Sequence, residues 1–260
     1  MTRGLWTRET VAALMLAALM PLALFWLWTS GLAGAMGLTF AIVIIGVWHL
    51  VFMLVRAQPP SLSALITALA IAMLAPEELG VFRLALGVSF GVVMGELVFG
   101  GWGRNVVNPA TVALAFLGFG FPSAPWPAFD APIAWAAIPA AVLGAALGIM
   151  PFALIVAAAS VAAAALMLGL LTEPVLFAAG IGLVLLVADP VTSAATGLGR
   201  VLNGALYTLF VVFFAAGWSG AAPVQITVAS ALLASLAAPL LDDIAIQVWV
   251  SRRRRRHGRA

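Results

Sequence analysis

The chain has 260 residues, of which 65% are hydrophobic and only 8% charged, and its mean hydropathy is +1.19. A soluble domain is near half apolar and a quarter charged, so a soluble globular fold is excluded. The apolar runs are continuous rather than alternating, which excludes an outer-membrane barrel.

A spanning helix needs about 20 apolar residues, and roughly ten of them fit this length. Arg3 and Arg8 precede a first run at about 11–28, read as an uncleaved first helix because it is long for a signal-peptide core and more spans follow. Gly31, Gly34 and Gly37 mark a turn before a second run at about 32–54. Pro59 and Pro60 stop that helix. A third run covers about 62–75 and a fourth about 80–98. A glycine-rich polar break from Gly100 to Pro109 follows, then a fifth run at about 110–121 and a proline-rich loop to Asp130. Runs at about 132–149, 151–171 and 174–188 lead to a second polar break, from Asp189 to Asn203. The ninth and tenth runs cover about 204–216 and 223–241, and an arginine tail closes the chain.

The fold class is therefore all-α, a polytopic membrane protein of about ten helices. It reads as a single membrane domain over 1–260, with helical halves 1–125 and 126–245 and a basic tail 246–260. Ten helices put both termini on one side. With that side cytoplasmic, Arg3, Arg8, Arg56, Arg104, Arg200 and the tail all fall inside, as the positive-inside rule requires. Glu77, Glu78, Asp130 and Glu173 fall outside, and only Arg83 is misplaced. The expected location is the bacterial inner (plasma) membrane. The pI near 11 comes from the cluster at Arg252–Arg256 and Arg259. Such a cluster after a membrane helix sets topology and touches anionic lipid, so no nucleic-acid partner is expected.

There is no cysteine and there are two histidines, His49 and His257. Thiolate metal sites, iron–sulfur clusters and bis-histidine haem thus have no ligands here. No metal site and no catalytic residue are predicted. Redox chemistry in this chain needs an organic cofactor or a partner's centre.

The two breaks concentrate polar residues at the ends of apolar helices. The first holds Trp102, Arg104, Asn105 and Asn108, with Glu96 just before it. The second holds Asp189, Thr192, Ser193, Thr196, Arg200 and Asn203. Two readings are open: ordinary cytoplasmic loops whose arginines set topology, or a ligand site. Non-helical backbone at membrane depth faces protein or a cavity. Glycines permit close backbone approach, asparagines donate and accept, and helix N-termini near Pro109 and Asn203 offer free amides. Gly101-Trp-Gly-Arg104 before Asn108 is echoed by Gly197-Leu-Gly-Arg200 before Asn203, which suggests two lobes clamping one ligand. Glu96 is an ionisable residue near the end of a span, which is a functional signal unless it reaches water. His49 either shares in function or bonds a neighbouring helix. Trp6, Trp126 and Trp249 fit interface belts, whereas Trp102 can stack on an aromatic ring.

The string Gly95-Glu-Leu-Val-Phe-Gly-Gly-Trp-Gly-Arg-Asn-Val-Val-Asn-Pro-Ala110 resembles a signature of a family of respiratory membrane proteins. That family comprises the D-type membrane component of the Rnf electron-transport complex and the B-type membrane component of the sodium-pumping NADH:quinone oxidoreductase. Ala188-Asp-Pro-Val-Thr-Ser193, followed by Gly199-Arg200, is similar to its C-terminal half. The resemblance implies two five-helix repeats, flavin carriers (riboflavin or FMN), electron transfer coupled to ion movement, and partner subunits of an electron-transport complex. It places Asn105 and Asn108 against flavin, with Asp189 and Thr192 as second-lobe candidates, and it makes Glu96 an ion-pathway residue. One departure stands out. The family attaches FMN to a threonine in a Ser-Gly-Ala-Thr-like motif between helices five and six. Here that loop, about 122–132, has no threonine, and none occurs between Thr111 and Thr172. Ser193-Ala-Ala-Thr196 resembles the motif but is expected on the opposite face. The expectation is a reduced relative with noncovalent flavin, bound by Trp102, Arg104, Asn105, Asn108, Asp189, Thr192, Arg200 and Asn203. A transporter or channel on the same scaffold, and a ligand-free structural subunit, are the alternatives.

Overall fold

The computed structural model describes residues 7–257, without the side chains of the last three. Arg3, Trp6 and Arg259 lie outside the described residues. The described residues are helices and connecting loops. The first helical stretch, Arg8–Arg56, is folded back at Gly31, whose φ of 57° and ψ of −138° suit only a residue without a Cβ. It therefore forms two antiparallel limbs, α1 (8–30) and α2 (32–56). The reversal brings Glu9, at the start of α1, to the Leu62 amide just beyond α2, which it accepts at 3.0 Å. The eight further helices are α3 (Ser63–Leu74), α4 (Gly80–Val92), α5 (Pro109–Gly120), α6 (Ala131–Ala146), α7 (Phe152–Met167), α8 (Glu173–Gly182), α9 (Gly197–Gly217) and α10 (Pro223–His257). The ten helical limbs agree with the sequence reading.

Four stretches are long and apolar enough to cross a membrane by length and composition: the folded Arg8–Arg56, Gly80–Leu97, Gly197–Gly217 and Pro223–Arg254. The 12-residue helices α3 and α5 are each about 18 Å long, short of the roughly 30 Å hydrocarbon core. Short helices are tolerable at membrane depth only inside protein. Accordingly α3 is enclosed, with Ser63, Ile66, Thr67, Leu69, Ile71 and Leu74 all buried.

Apolar side chains gain little from leaving lipid for protein, so close approach of small residues does much of the packing. Gly87, Gly91 and Gly95 repeat every fourth residue and line the face of α4 that meets α5. A Cβ on Gly91 would lie 2.7 Å from the Ala113 backbone, and one on Gly95 would lie 2.8 Å from Pro109 Cα. Gly204 of α9 packs on the Leu154 backbone of α7, and Gly182 of α8 packs on Thr227 of α10. Tyr207 of α9 donates its hydroxyl to the Ala179 carbonyl of α8 at 2.8 Å.

Two boundaries and one motif differ most from the sequence reading. The ninth helix begins at Gly197, not near 204, because Thr196 caps it by accepting the Gly199 amide at 3.1 Å. Arg200 and Asn203 are thus helical, and the second break ends at Thr196. The tenth helix continues through Asp242 and Asp243 to His257, since neither acid breaks a helix. The Gly-x-Gly-Arg echo is not a structural one: Gly101 and Gly103 adopt φ of 91° and 99° in a turn, whereas Gly197–Arg200 is a first helical turn.

Candidate functional site

The helices before the two breaks end alike. α4 runs into a π turn, Val93–Leu97, and α8 into another, Leu183–Val187. In each the amide reaches back five residues, Val98 to Val93 at 2.9 Å and Ala188 to Leu183 at 2.8 Å. One-turn π segments widen a helix and recur at functional sites. No sequence signal announced them; they form the structural parallel that the glycine echo did not.

In the first break, Gly100, Gly101 and Gly103 all have positive φ, which lets the chain wrap round the end of α4. The Trp102 amide donates to Glu96 Oε1 at 3.1 Å, and Arg8 donates to the Trp102 carbonyl at 3.2 Å. Asn105 Oδ1 accepts the Gly103 amide at 3.1 Å. Asn108 caps α5, accepting the Ala110 amide at 2.9 Å, with Pro109 at the first helical position.

The two breaks meet. Asn108 Nδ2 lies 3.4 Å from Asp189 Oδ2 and 3.5 Å from the Leu185 carbonyl. Asp189 Oδ1 accepts the Val191 amide at 3.0 Å. Asn105, Asn108, Asp189, Thr192 and Trp102 are all buried. Within this group Asn105 Nδ2 and Thr192 Oγ1 are buried without a hydrogen-bond partner, and unpaired buried donors are costly and call for an explanation.

Other predicted site residues fall elsewhere. Asn203 is buried in α9 and donates to the Ala234 carbonyl of α10 at 2.8 Å, so its amide group engages α10 rather than either break. Arg104 and Arg200 are exposed; Arg200 Nε donates to the Ala194 carbonyl at 3.3 Å. Trp102 is buried, not an open stacking face. Glu96 does not reach water, being 1% exposed. Its Oε1 also accepts from Ser63 at 3.3 Å and lies 3.9 Å from His49 Nε2. Among the described residues no arginine forms an ion pair with Glu96 or Asp189.

Two contributors escaped sequence reasoning. Ser63 was lost within an apolar run, although the Ser-Leu-Ser after Pro60 was a visible polar cue. Asp242, just beyond the tenth apolar run, accepts the Ala195 and Thr196 amides, each at 2.8 Å, and the Thr196 hydroxyl at 2.6 Å. It fastens the end of the second break to α10.

A family model described as NQR2, RnfD, RnfE family matches residues 3–131. Three relatives are each the B-type component of a Na(+)-translocating NADH-quinone reductase. The one from Yersinia pestis is 41% identical over 78 residues, 30% of this chain and 19% of that protein. The one from Stutzerimonas stutzeri (strain A1501) is 38% identical over 90 residues, 33% of this chain and 22% of that protein. A longer match, to the Pseudomonas paraeruginosa protein, is 28% identical over 271 aligned positions, 82% of this chain and 67% of that protein. The first two matches thus span only 19% and 22% of the relatives' lengths.

Proposed function

Because the chain belongs to the NQR2, RnfD, RnfE family, we propose that it is a flavin-binding membrane subunit of an electron-transport complex. In this reading it relays electrons through a noncovalent flavin, riboflavin or FMN, and the transfer is coupled to ion movement at Glu96. The supporting observation is the contact between Asn108 and Asp189, which joins residues 81 apart in sequence into one buried polar junction.

The junction's chemistry suits an isoalloxazine. Among the described residues Asn105 Nδ2 and Thr192 Oγ1 have no partner in hydrogen-bond geometry, Thr192 standing beside the Asp189 carboxyl group, and flavin carbonyls and ring nitrogens accept hydrogen bonds. Bound flavin would supply the redox chemistry, while the chain supplies position, donors and exclusion of water. Electrons would enter from and leave to other subunits, which are the proposed partners together with membrane lipid. The location proposed is the bacterial inner membrane, with the arginine-rich end cytoplasmic.

The loop from Phe121 to Asp130 carries no threonine. Thr196 lies at the other end of the bundle, as the cap of α9. Flavin is therefore proposed to be held without a phosphoester bond. The test is the visible spectrum of the purified protein before and after acid precipitation. A flavin band that leaves with the supernatant supports the reading, and one retained in the pellet means covalent attachment. A colourless protein that takes up no riboflavin or FMN removes the flavin reading. It would favour a solute or ion transporter on this scaffold, which broken helices and buried carboxylates also fit.

A further inference from the structure

His49 is 6% exposed and its Nε2 has no hydrogen-bond partner. Glu96 Oε2, across from it, is likewise buried and unpartnered. His49 Nε2 lies 3.9 Å from Glu96 Oε1, too far for a direct hydrogen bond but a gap that one water can bridge. Ser63 and the Trp102 amide hold that same Oε1, which leaves Oε2 free to take a proton.

His49 also lines a hollow of about 290 Å³ between α2 and α3, bounded by Ile42, Gly46, Met53, Pro60, Ser61 and Ala64 among others. One liquid water occupies roughly 30 Å³, so the hollow has room for water, with the His49 and Ser61 side chains as its polar groups. The hollow reaches Pro60, in the exposed loop after Arg56, at the same end of the molecule as Trp102 and Arg104. It therefore runs from the loop at Pro60 and Ser61 to an imidazole, and the imidazole faces a buried carboxyl group.

We propose that this hollow and His49 form the path by which protons pass between water and Glu96. A proton from water in the hollow binds one imidazole nitrogen, and the proton on the other nitrogen passes to the Glu96 carboxylate. Uptake leaves Glu96 neutral and His49 as its other neutral tautomer; the reverse steps return the proton and restore both groups. The charged and titratable groups facing the pair are Arg8 and Glu9 from α1 and Asp189 from the second break. Arg8 is held by the Trp102 carbonyl and Glu9 by the Leu62 amide; neither bonds the relay atoms. The proposal deepens the reading of Glu96 as the ion-handling residue and names the ion and its route; it does not depend on flavin.

The test follows the protonated-carboxyl C=O stretch of the full-length protein in detergent by infrared spectroscopy during exchange from H2O to D2O. Glu96→Gln assigns the band by its loss. His49→Phe keeps ring volume but removes both nitrogens. Ala64→Leu directs a larger side chain toward the N-terminal turn of α3, over the mouth of the hollow. Each of these two is expected to slow deuteration of the Glu96 carboxyl about tenfold, equivalent to about 1.4 kcal/mol of added barrier. Gly37→Leu, on the same helix as His49 and in open space, is expected to leave the rate unchanged. Deuteration as fast as wild type in both variants overturns the route while leaving Glu96 as a titrating residue. A Glu96 band absent at every pH at which the protein stays folded overturns the route and the proton assignment together. Flavin content, read on the same samples, reports separately on the flavin reading.

Discussion

Asn108 and Asp189 stand in two different breaks, and their side chains approach to 3.4 Å, while the other end of the Asn108 amide caps α5. One side chain thus sets where a helix starts and where two halves of the molecule touch. Removing it has two separable consequences. Asn108→Ala is expected to lower stability by about 1–2 kcal/mol through the lost cap alone, and further because Asp189 loses a buried partner. In a double-mutant cycle with Asp189→Asn the two sites are expected to couple by about 1 kcal/mol or more. Thermal unfolding in detergent measures both, and additive effects would mean the contact carries no energy.

Flavin occupancy separates the junction from its surroundings. Asn105→Ala and Thr192→Ala are each expected to lower the flavin-to-protein ratio, because each removes a donor that has no hydrogen-bond partner among the described residues. Asn203→Ala is expected to leave that ratio unchanged and to reduce stability only, since its amide bonds the Ala234 carbonyl. Equal losses in all three variants would contradict the division.

Along α4 the glycines act through distance. In Gly91→Val the new Cβ meets Ala113 backbone at 2.7 Å, which no rotamer change relieves. The expected cost is about 1–3 kcal/mol, with reduced yield of folded protein. Gly37→Ala is expected to be neutral or slightly stabilising, since nothing lies within 4 Å of its Cβ and alanine favours helix. Comparison of unfolding temperatures checks the contrast.

Asp242 holds the second break by three accepted hydrogen bonds. Asp242→Ala is expected to cost about 1–2 kcal/mol, the range for losing a helix-capping acceptor with favourable charge. Asp242→Asn keeps one acceptor oxygen and is expected to recover part of this. Limited proteolysis between 190 and 196 should be faster in the alanine variant; an unchanged rate would show that the clamp does not order the loop.

The absence of native cysteine makes any introduced thiol unique. Ala124→Cys, in the proline-rich loop, is expected to react with an impermeant maleimide on intact cells. Arg252→Cys is expected to react only in inverted vesicles. The reverse pattern would overturn the proposed orientation.

Much of the fold was legible because a membrane makes strong demands on sequence. Lone Pro21, Pro139 and Pro239 lie inside helices, but the pair Pro59-Pro60 and the cluster Pro122, Pro125 and Pro127 disrupt too many helical hydrogen bonds, so these groups mark loops unaided. Gly31 was legible as a turn, although not as a single-residue reversal. The start of α9 was misplaced because Thr196 caps it with help from Asp242, 46 residues away, a partner no local window contains. Glu96 and His49 were visible as polar residues in apolar runs, but their proximity was not. Ser63 and the two π turns were not singled out, because a serine in a run of alanines and a single extra residue per turn leave apolar periodicity intact.

By itself, the sequence determined that the chain crosses a membrane many times, where its two breaks begin, and which end carries the arginines. Those properties follow from the cost of placing charge and unpaired backbone in hydrocarbon, a cost that each segment incurs on its own. Only the tertiary structure decided that Asn108 meets Asp189 while Asn203 turns to α10, and that Glu96 is sealed from water against Ser63 and His49. Those pairings depend on how closely helix backbones approach, which glycines such as Gly91, Gly95 and Gly204 set through contacts with distant segments.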